Sequence, residues 1–337
     1  MESSFRGRSV LITGGCGAFG QKLVEYLKTA APSRVTLFSR DEMKHAAFKR
    51  TVGTSCPWLN FRIGDICRDE DLAYAMQGVD IVIHAAAMKH LPECEANPRA
   101  SNLVNVTGTQ NVIRAFQSSQ ADTLIFLSTD KAPYASSIYG AQKYIGEKLV
   151  TECSSLGAGK RSFSLRYSNV IDSTGAAFPL FGQLLKAGKK VTVNGSQTVR
   201  GFVTQAQVIA TINASLNALQ GGENIVLIPQ VIKIAELAQA MQELIGSGEV
   251  EVKEATGFLG EKESATLIMA EERGVAKEFP EAECPALLLD YSAKHPSRRP
   301  AKLSVDDSFT LEHCPTLTGS QLRAFLTPVM QANGLLP

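Results

Sequence analysis

The sequence predicts an α/β fold: a doubly wound parallel sheet, with a smaller α+β lobe built mainly from the second half. Three features point there. Short β-branched runs alternate with helical patterns through the first half, the first run ends in a glycine-rich turn, and the alternation lapses beyond about residue 172. Ser9–Thr13 (SVLIT) reads as the first strand and Gln21–Ala30 as the helix after it. Arg34–Phe38 (RVTLF) is a second strand, Asn60–Ile63 a third ending at Gly64 and Asp65, and Asp80–Ala85 (DIVIHA) a fourth, with Leu72–Met76 helical between the last two. Val104–Gln117 reads as one helix, Thr123–Ser128 (TLIFLS) as a fifth strand, Tyr139 to about Glu152 as a helix, and Ser162–Arg166 as a further strand. Strands this apolar, separated by helices, belong in a parallel sheet covered on both faces. Beyond them Phe178–Ala187, Ala206–Leu219 and Ile232–Leu244 are helical, and Lys189–Val193 and Asn224–Ile228 are short strands. The expected division is 1–171 for the main sheet and 172–337 mainly for the second lobe, with some segments returning to the sheet. Lys294–Pro300 (KHPSRRP) reads as a solvated surface loop.

Bulk properties narrow the function. The chain has 337 residues, 34 Lys plus Arg against 33 Asp plus Glu, and a formal net charge of +1, which offers nothing to nucleic acid or an anionic membrane. No apolar run approaches the roughly 18 residues that span a bilayer, and the opening MESSFRGRSVLITGG runs straight into a strand. The seven cysteines are scattered, with no C-x-x-C pair, so neither a metal site nor a dithiol is called for. Reduced thiols in a cytoplasmic protein are the expectation.

The glycine-rich turn carries the first functional signal. Thr13-Gly-Gly-Cys-Gly-Ala-Phe-Gly20 follows a strand and opens a helix, the context of a Rossmann dinucleotide site. Gly14 permits the turn, Gly17 lets a pyrophosphate approach the backbone, Gly20 lets helix and strand close together, and Cys16, Ala18 and Phe19 complete the cradle. The helix N-terminus supplies N–H groups and partial positive charge. At the end of the second strand, where NAD proteins place an acid, stand Ser39 and Arg40, with Lys44 beyond. Arg40 and Lys44 suit a ribose 2′-phosphate and Ser39 can donate to it, so NADP is expected; the alternative is that Asp41 holds the ribose. Asp65 and Ile66 are placed to border the adenine, and Ala85, Ala86 and Ala87 to let the cofactor lie against backbone.

A second constellation follows the fifth strand. Ser128-Thr129-Asp130-Lys131 ends it, and Tyr139 and Lys143 lie four apart on one helix face. A lysine ammonium beside a phenol lowers its pKa, which makes Tyr139 a usable base near neutral pH.

Together these residues resemble the extended short-chain dehydrogenase/reductases that modify nucleotide sugars. SRDEMK (39–44), HAAAMKHLPECEANP (84–98), STDKA (128–132) with YGAQK (139–143), and LRYSNVIDSTGAAFP (165–179) are similar to the soluble UDP-N-acetylglucosamine 4,6-dehydratases of bacterial surface-sugar pathways. The resemblance implies a Rossmann domain binding NADP over 1–171 and a substrate lobe over 172–337. It implies that Tyr139, with Thr129 and Lys143 beside it, removes the C4 hydroxyl proton as hydride leaves C4. Lys131 would then take the C5 proton and Asp130 would protonate the leaving C6 hydroxyl. The product would be a UDP-4-keto-6-deoxy sugar, retained or inverted at C5. It further implies that Lys89, His90 and Asn105 border cofactor and sugar, that Tyr167, Ser168, Asn169 and Val170 touch nicotinamide and substrate, and that Arg200 and Glu261 (in Gly260-Glu-Lys262) reach the nucleotide. Relatives of this kind form homo-oligomers, so one is expected here.

The sequence departs from the family pattern in four places. Cys16 stands where threonine or serine is usual, Ser168 where glycine is usual, Phe258-Leu259 precede Gly260 in place of Arg-Pro, and the usual histidine after Lys262 is missing. The alternatives are a UDP-sugar 4-epimerase, which has no use for Asp130 and Lys131, and a non-enzymatic NADP-sensing protein, which has no use for Tyr139 and Lys143.

Overall fold

The computed structural model describes residues 3–156, 159–173, 176–254, 264–303 and 307–337. The first half runs β1 (Ser9–Thr13), α1 (Ala18–Ala30), β2 (Arg34–Ser39), α2 (Glu42–Val52), β3 (Leu59–Ile63), α3 (Asp69–Ala75), β4 (Ile81–His84), α4 (Leu91–Ala96), α5 (Pro98–Asn102), α6 (Gly108–Ser118), β5 (Thr123–Leu127), α7 (Ile138–Leu156) and β6 (Arg161–Arg166). The second half adds β7 (Asn169–Val170), α8 (Ala177–Lys186), β8 (Lys190–Asn194), β9 (Val199–Val203), α9 (Gln205–Ala218), β10 (Asn224–Leu227), β11 (Gln230–Lys233), α10 (Ile234–Ile245), β12 (Glu249–Lys253), β13 (Thr266–Ile268), β14 (Ala276–Glu278), β15 (Ala286–Leu289), β16 (Phe309–Thr310) and α11 (Gly319–Ala332).

A nine-stranded sheet in the order β14-β15-β10-β6-β5-β4-β1-β2-β3 forms the centre. Its strands are parallel from β3 to β10, and β15 and β14 close the far edge antiparallel. This is the doubly wound arrangement the sequence predicted. Alternation along β1 explains the two-sided cover: Val10 and Ile12 face the cluster under α1, α2 and α9, while Leu11 faces the one under α3, α6 and α7. The strand order reverses between β1 and β4, so the loops leaving these strands separate and a crevice opens at their carboxyl ends.

Three small sheets and the helices α8, α10 and α11 stand over that crevice with a core of their own, centred on Phe178, Leu185, Ile232, Leu237, Met241, Leu322 and Leu326. Segments β10, β14, β15 and α9 return to the main sheet.

Two local readings need correction. The helix expected over Val104–Gln117 opens as a π-helical turn, Leu103–Thr107, before α6. The widened turn seats Asn105 against the loop after β4: its Oδ1 accepts from Met88 N at 2.8 Å, and its Nδ2 donates to Met88 O at 2.9 Å and to Gln142 Oε1 at 2.8 Å. The KHPSRRP loop is not simply solvated. Buried His295 pairs through Nε2 with Glu223 Oε1 at 2.6 Å, Lys294 Nζ donates to Gly221 O at 2.7 Å, and Arg298 meets Glu281 through both guanidinium arms. Acceptors from distant segments, which charge counting along the chain does not see, hold the loop in.

Candidate active site

A cavity of about 970 Å3 occupies the crevice and continues beneath the second lobe. Its floor is the glycine turn. Gly14 has φ +69°, and a Cβ there would lie 2.8 Å from the Cα of Ala86, so the β1 and β4 loops can meet only over a glycine. A Cβ at Gly20 would run into the backbone of Gly15, so α1 could not close on β1. Gly17 is the N-cap of α1, which has no side-chain cap and no acid in its first turn. First-turn N–H groups without a capping side chain, on the cavity floor, fit a pyrophosphate.

The ribose end is built by the β2–α2 turn. Ser39, Arg40, Asp41, Lys44, Asp65, Ile66 and Cys16 all line the cavity there. Asp41 caps α2, accepting from Lys44 N at 3.0 Å, and its second oxygen lies 3.2 Å from Lys44 Nζ. Arg40 is exposed, with Nη1 3.8 Å from Asp65 Oδ2. Such exposed pairs contribute little and yield readily to a stronger anion. Asp65 also accepts from Cys67 N at 2.9 Å, which fixes the bend after β3.

The candidate catalytic end lies where the chain leaves β5. Asp130 N donates to Tyr167 O at 3.0 Å, so the segments after β5 and β6 stay paired beyond the strands. Lys131 Nζ donates to Asp130 Oδ1 at 3.0 Å and to Asn169 Oδ1 at 3.4 Å, while Asn169 Nδ2 donates to Gly201 O at 3.1 Å. Asp130 is almost fully buried and its other neighbour is the Thr129 hydroxyl, which donates to Oδ1 at 3.2 Å. Helix α7 brings Tyr139 and Lys143 to the same wall. Ser137 Oγ accepts from Gly140 N at 3.1 Å and Glu95 Oε1 from Ile138 N at 2.7 Å, which partners two N–H groups of the first turn. A Cβ at Gly140 would collide with the carbonyl oxygen of Lys131, so this glycine lets the helix lie directly on the catalytic turn.

The electrostatics correct one expectation. Lys143 does not lower the Tyr139 pKa here; burial pushes that phenol up, and the neighbouring Tyr167 and Asp130 add to the rise. The lysine is itself depressed, to about 7, by burial, with Glu147 opposing the fall. Its Nζ sits 4.1 Å above the Phe126 ring. Burial outweighs the pairwise attraction because neither group has water to support its charge.

Behind this wall runs a buried chain that the sequence did not announce. Thr109 donates to Asn105 O at 2.7 Å, so its oxygen accepts from His84 Nε2 at 3.0 Å. His84 Nδ1 then accepts from Thr13 Oγ1 at 2.7 Å, and Thr13 Oγ1 accepts from Ala86 N at 3.3 Å. Burial, with the nearby Lys143 charge, lowers the His84 pKa to about 3, which keeps the ring neutral and the chain's direction fixed. It ties β1, β4 and the π turn together at the crevice.

The cavity wall brings together Gly14, Cys16, Gly17, Ala18, Phe19, Ser39, Arg40, Lys44, Asp65, Ile66, Ala85, Ala86, Ala87, Lys89, His90, Thr129, Asp130, Lys131, Tyr139, Lys143, Tyr167, Ser168, Asn169, Val170 and Arg200. Gly20 lies just under the floor, and Asn105 stands behind the wall, holding Met88 and Gln142. Glu261, with Gly260 and Lys262, falls outside the described residues. Ser128, Ser168 and Gln205 are buried wall residues too, and Ser128 Oγ, Ser168 Oγ and Gln205 Oε1 have no partner among the described residues. Orphaned polar atoms on a cavity wall fit a polar ligand. The sequence had marked Ser128 as the serine that ends a strand and Ser168 as a family departure, whereas nothing in it marked Gln205.

Comparison with known proteins agrees with this geometry. A family model described as polysaccharide biosynthesis protein matches residues 10–284. A relative from Campylobacter jejuni named UDP-N-acetylglucosamine 4,6-dehydratase (inverting) is 32% identical over 281 residues, 82% of this chain and 81% of its own. One from Rickettsia canadensis named UDP-glucose 4-epimerase is 31% identical over 327 residues, 88% of this chain and 93% of its own. The X-ray structure of Pen from Bacillus thuringiensis superposes with a TM-score of 0.87 at 27% identity, covering 98% of this chain and 99% of that one.

Proposed function

The chain belongs to the polysaccharide biosynthesis protein family, and on that premise we propose that it is a nucleotide-sugar 4,6-dehydratase acting on UDP-GlcNAc with NADP. A bound nicotinamide dinucleotide supplies a hydride acceptor for C4 of the sugar and later the hydride for C6. Gly14, Gly17 and the α1 N-terminus would hold its pyrophosphate, and Arg40, Lys44 and Ser39 the ribose 2′-phosphate. The capping of α2 by Asp41 favours NADP over NAD, because that carboxylate is engaged by the backbone N–H of Lys44 rather than left for a ribose.

Tyr139 takes the proton from the C4 hydroxyl, producing a 4-ketone. Lys143, poised near neutral pH, gains its proton as ligand phosphates bring negative charge to the cavity, and the cation then supports the Tyr139 phenolate. The ketone acidifies C5–H. Lys131, as the neutral amine, removes that proton, and Asp130, as the neutral acid, gives one to the C6 hydroxyl so that water departs. The working pair is the observed ion pair with one proton moved from Nζ to Oδ1 across 3.0 Å. Both forms carry no net charge, so exclusion of water from the site costs the transfer little.

The Asp130–Lys131 pair, lining the same cavity as Tyr139, is the observation that carries this reading. A 4-epimerase, the activity named for the Rickettsia relative, needs the C4 chemistry of Tyr139 but gives no task to either residue. Incubation with UDP-GlcNAc and NADP+ separates the two: dehydration yields a product lighter by one water, whereas epimerisation yields UDP-GalNAc of unchanged mass.

A further inference from the structure

The NADP reading leaves one buried residue at the ribose end without a role. His45, on the inner face of α2, is buried against Phe61 and reaches back to the residue that ends β2. Its Nε2 lies 2.7 Å from Ser39 Oγ and 3.1 Å from Ser39 O. A carbonyl oxygen only accepts, so a bare Nε2 lone pair at that distance would be repelled by it; Nε2 therefore carries the proton. Nδ1 has no partner among the described residues, and a buried unpaired acceptor is tolerated better than a buried unpaired N–H. Burial also lowers the His45 pKa from its ordinary 6.5, so the ring is neutral and Nε2–H is its one donor.

That donor fixes the polarity of Ser39. The serine oxygen receives Nε2–H, and its own proton is left for another acceptor. The Ser39 hydroxyl bears on the neighbouring Cys16 thiol and opposes the rise that burial gives its pKa, but sulfur is a weak acceptor that a phosphate oxygen displaces. A ribose 2′-hydroxyl gains less from such a donor than a 2′-phosphate does, because bonds to a charged acceptor are about twice as strong. Resting on the NADP reading above, we propose that His45 is a positioning residue for cofactor choice: it orients the Ser39 hydroxyl as a donor toward the ribose 2′ position and so selects a 2′-phosphorylated dinucleotide.

Calorimetric titration of NADP+ and NAD+ into the full chain tests this, with wild type, H45L, H45Q, S39A and the S39A/H45L double variant. H45L and S39A weaken NADP+ about tenfold, the range of one charged hydrogen bond, and leave NAD+ within about twofold. The double variant is no worse than S39A, and H45Q, which restores an N–H donor, recovers most of the NADP+ affinity. Equal weakening of both dinucleotides by H45L, or additivity of H45L with S39A, overturns the role. If H45L does not fold, S39A and H45Q carry the test: an S39A that keeps full preference, or an H45Q that weakens both dinucleotides alike, overturns it. A wild type with no preference for NADP+ overturns the cofactor reading and His45's role together, whereas preference retained in H45L overturns His45's role alone.

Discussion

Lys131 and Asp130, neighbours in the chain, face each other across 3.0 Å, with the aspartate side chain buried and the lysine side chain 30% exposed. An acid and a base bound to one another can each serve a different carbon only if a proton passes between them, and the contact makes that transfer direct. Lys131→Ala removes the proposed base and leaves the cofactor end untouched. Dehydration should fall by about 10²–10⁴, while NADP+ affinity in a titration stays within about twofold. Unchanged product formation would show that C5 is deprotonated by another group.

Tyr139→Phe deletes the phenol that the proposed mechanism uses on the C4 hydroxyl. The first oxidation should be lost, with turnover down by about 10²–10⁴ and no transient absorbance of reduced nicotinamide in a stopped-flow experiment. A transient of wild-type amplitude and rate would assign the C4 proton elsewhere.

Lys143 makes the ligand-free protein's stability depend on pH. Its pKa is about 7 folded against 10.5 for the ordinary side chain. Between those values the unfolded chain binds a proton that the folded chain does not, so stability rises with pH across this window; below about pH 7 the cost of charging the buried amine is fully felt. Lys143→Met removes the cost. In urea unfolding without ligand, the variant should exceed wild type by a few kcal/mol, an order-of-magnitude figure, at pH 6.5, with most of that advantage gone by about pH 10. An advantage independent of pH would mean that the ammonium is not desolvated.

Arg40 is exposed and only loosely paired with Asp65, so Arg40→Ala should cost little stability. It should weaken NADP+ by about tenfold or more and NAD+ far less, since a guanidinium–phosphate bond is the interaction removed. Equal losses for both dinucleotides would contradict a 2′-phosphate site here.

Gly140→Ala places a methyl group against the carbonyl of Lys131. Overpacking of this kind costs about 1–3 kcal/mol, and here it displaces the catalytic turn as well. Both the melting temperature and kcat should drop. A variant with wild-type kcat would show that α7 and the turn move together without consequence.

Much of this site was legible before the structure. The strands stood out because burial on both faces demands continuous apolar runs, and the glycine turn and Tyr139/Lys143 spacing follow from backbone approach and helix periodicity. What stayed hidden depended on partners far apart in the chain. The π turn exists to seat Asn105 against Met88 and Gln142, and no local pattern encodes that. His84 joins residues from three elements, so it read as one more strand residue. The Tyr139 pKa was misjudged because spacing reports the neighbour and not the depth of burial, and burial dominates. Arg166, wholly buried between Glu147 and Glu272, was visible only as part of a motif; its ion pairs fasten α7 to the segment that carries Tyr167 and Asn169.

Water loss from the sugar is the step on which the other assignments hang. Mass spectrometry of UDP-GlcNAc incubated with the purified protein and NADP+ reads it directly. Dehydration by Asp130 and Lys131 predicts a nucleotide sugar lighter by one water that forms with wild type and not with Lys131→Ala. A product of unchanged mass, or the same dehydrated product from both proteins, would contradict it.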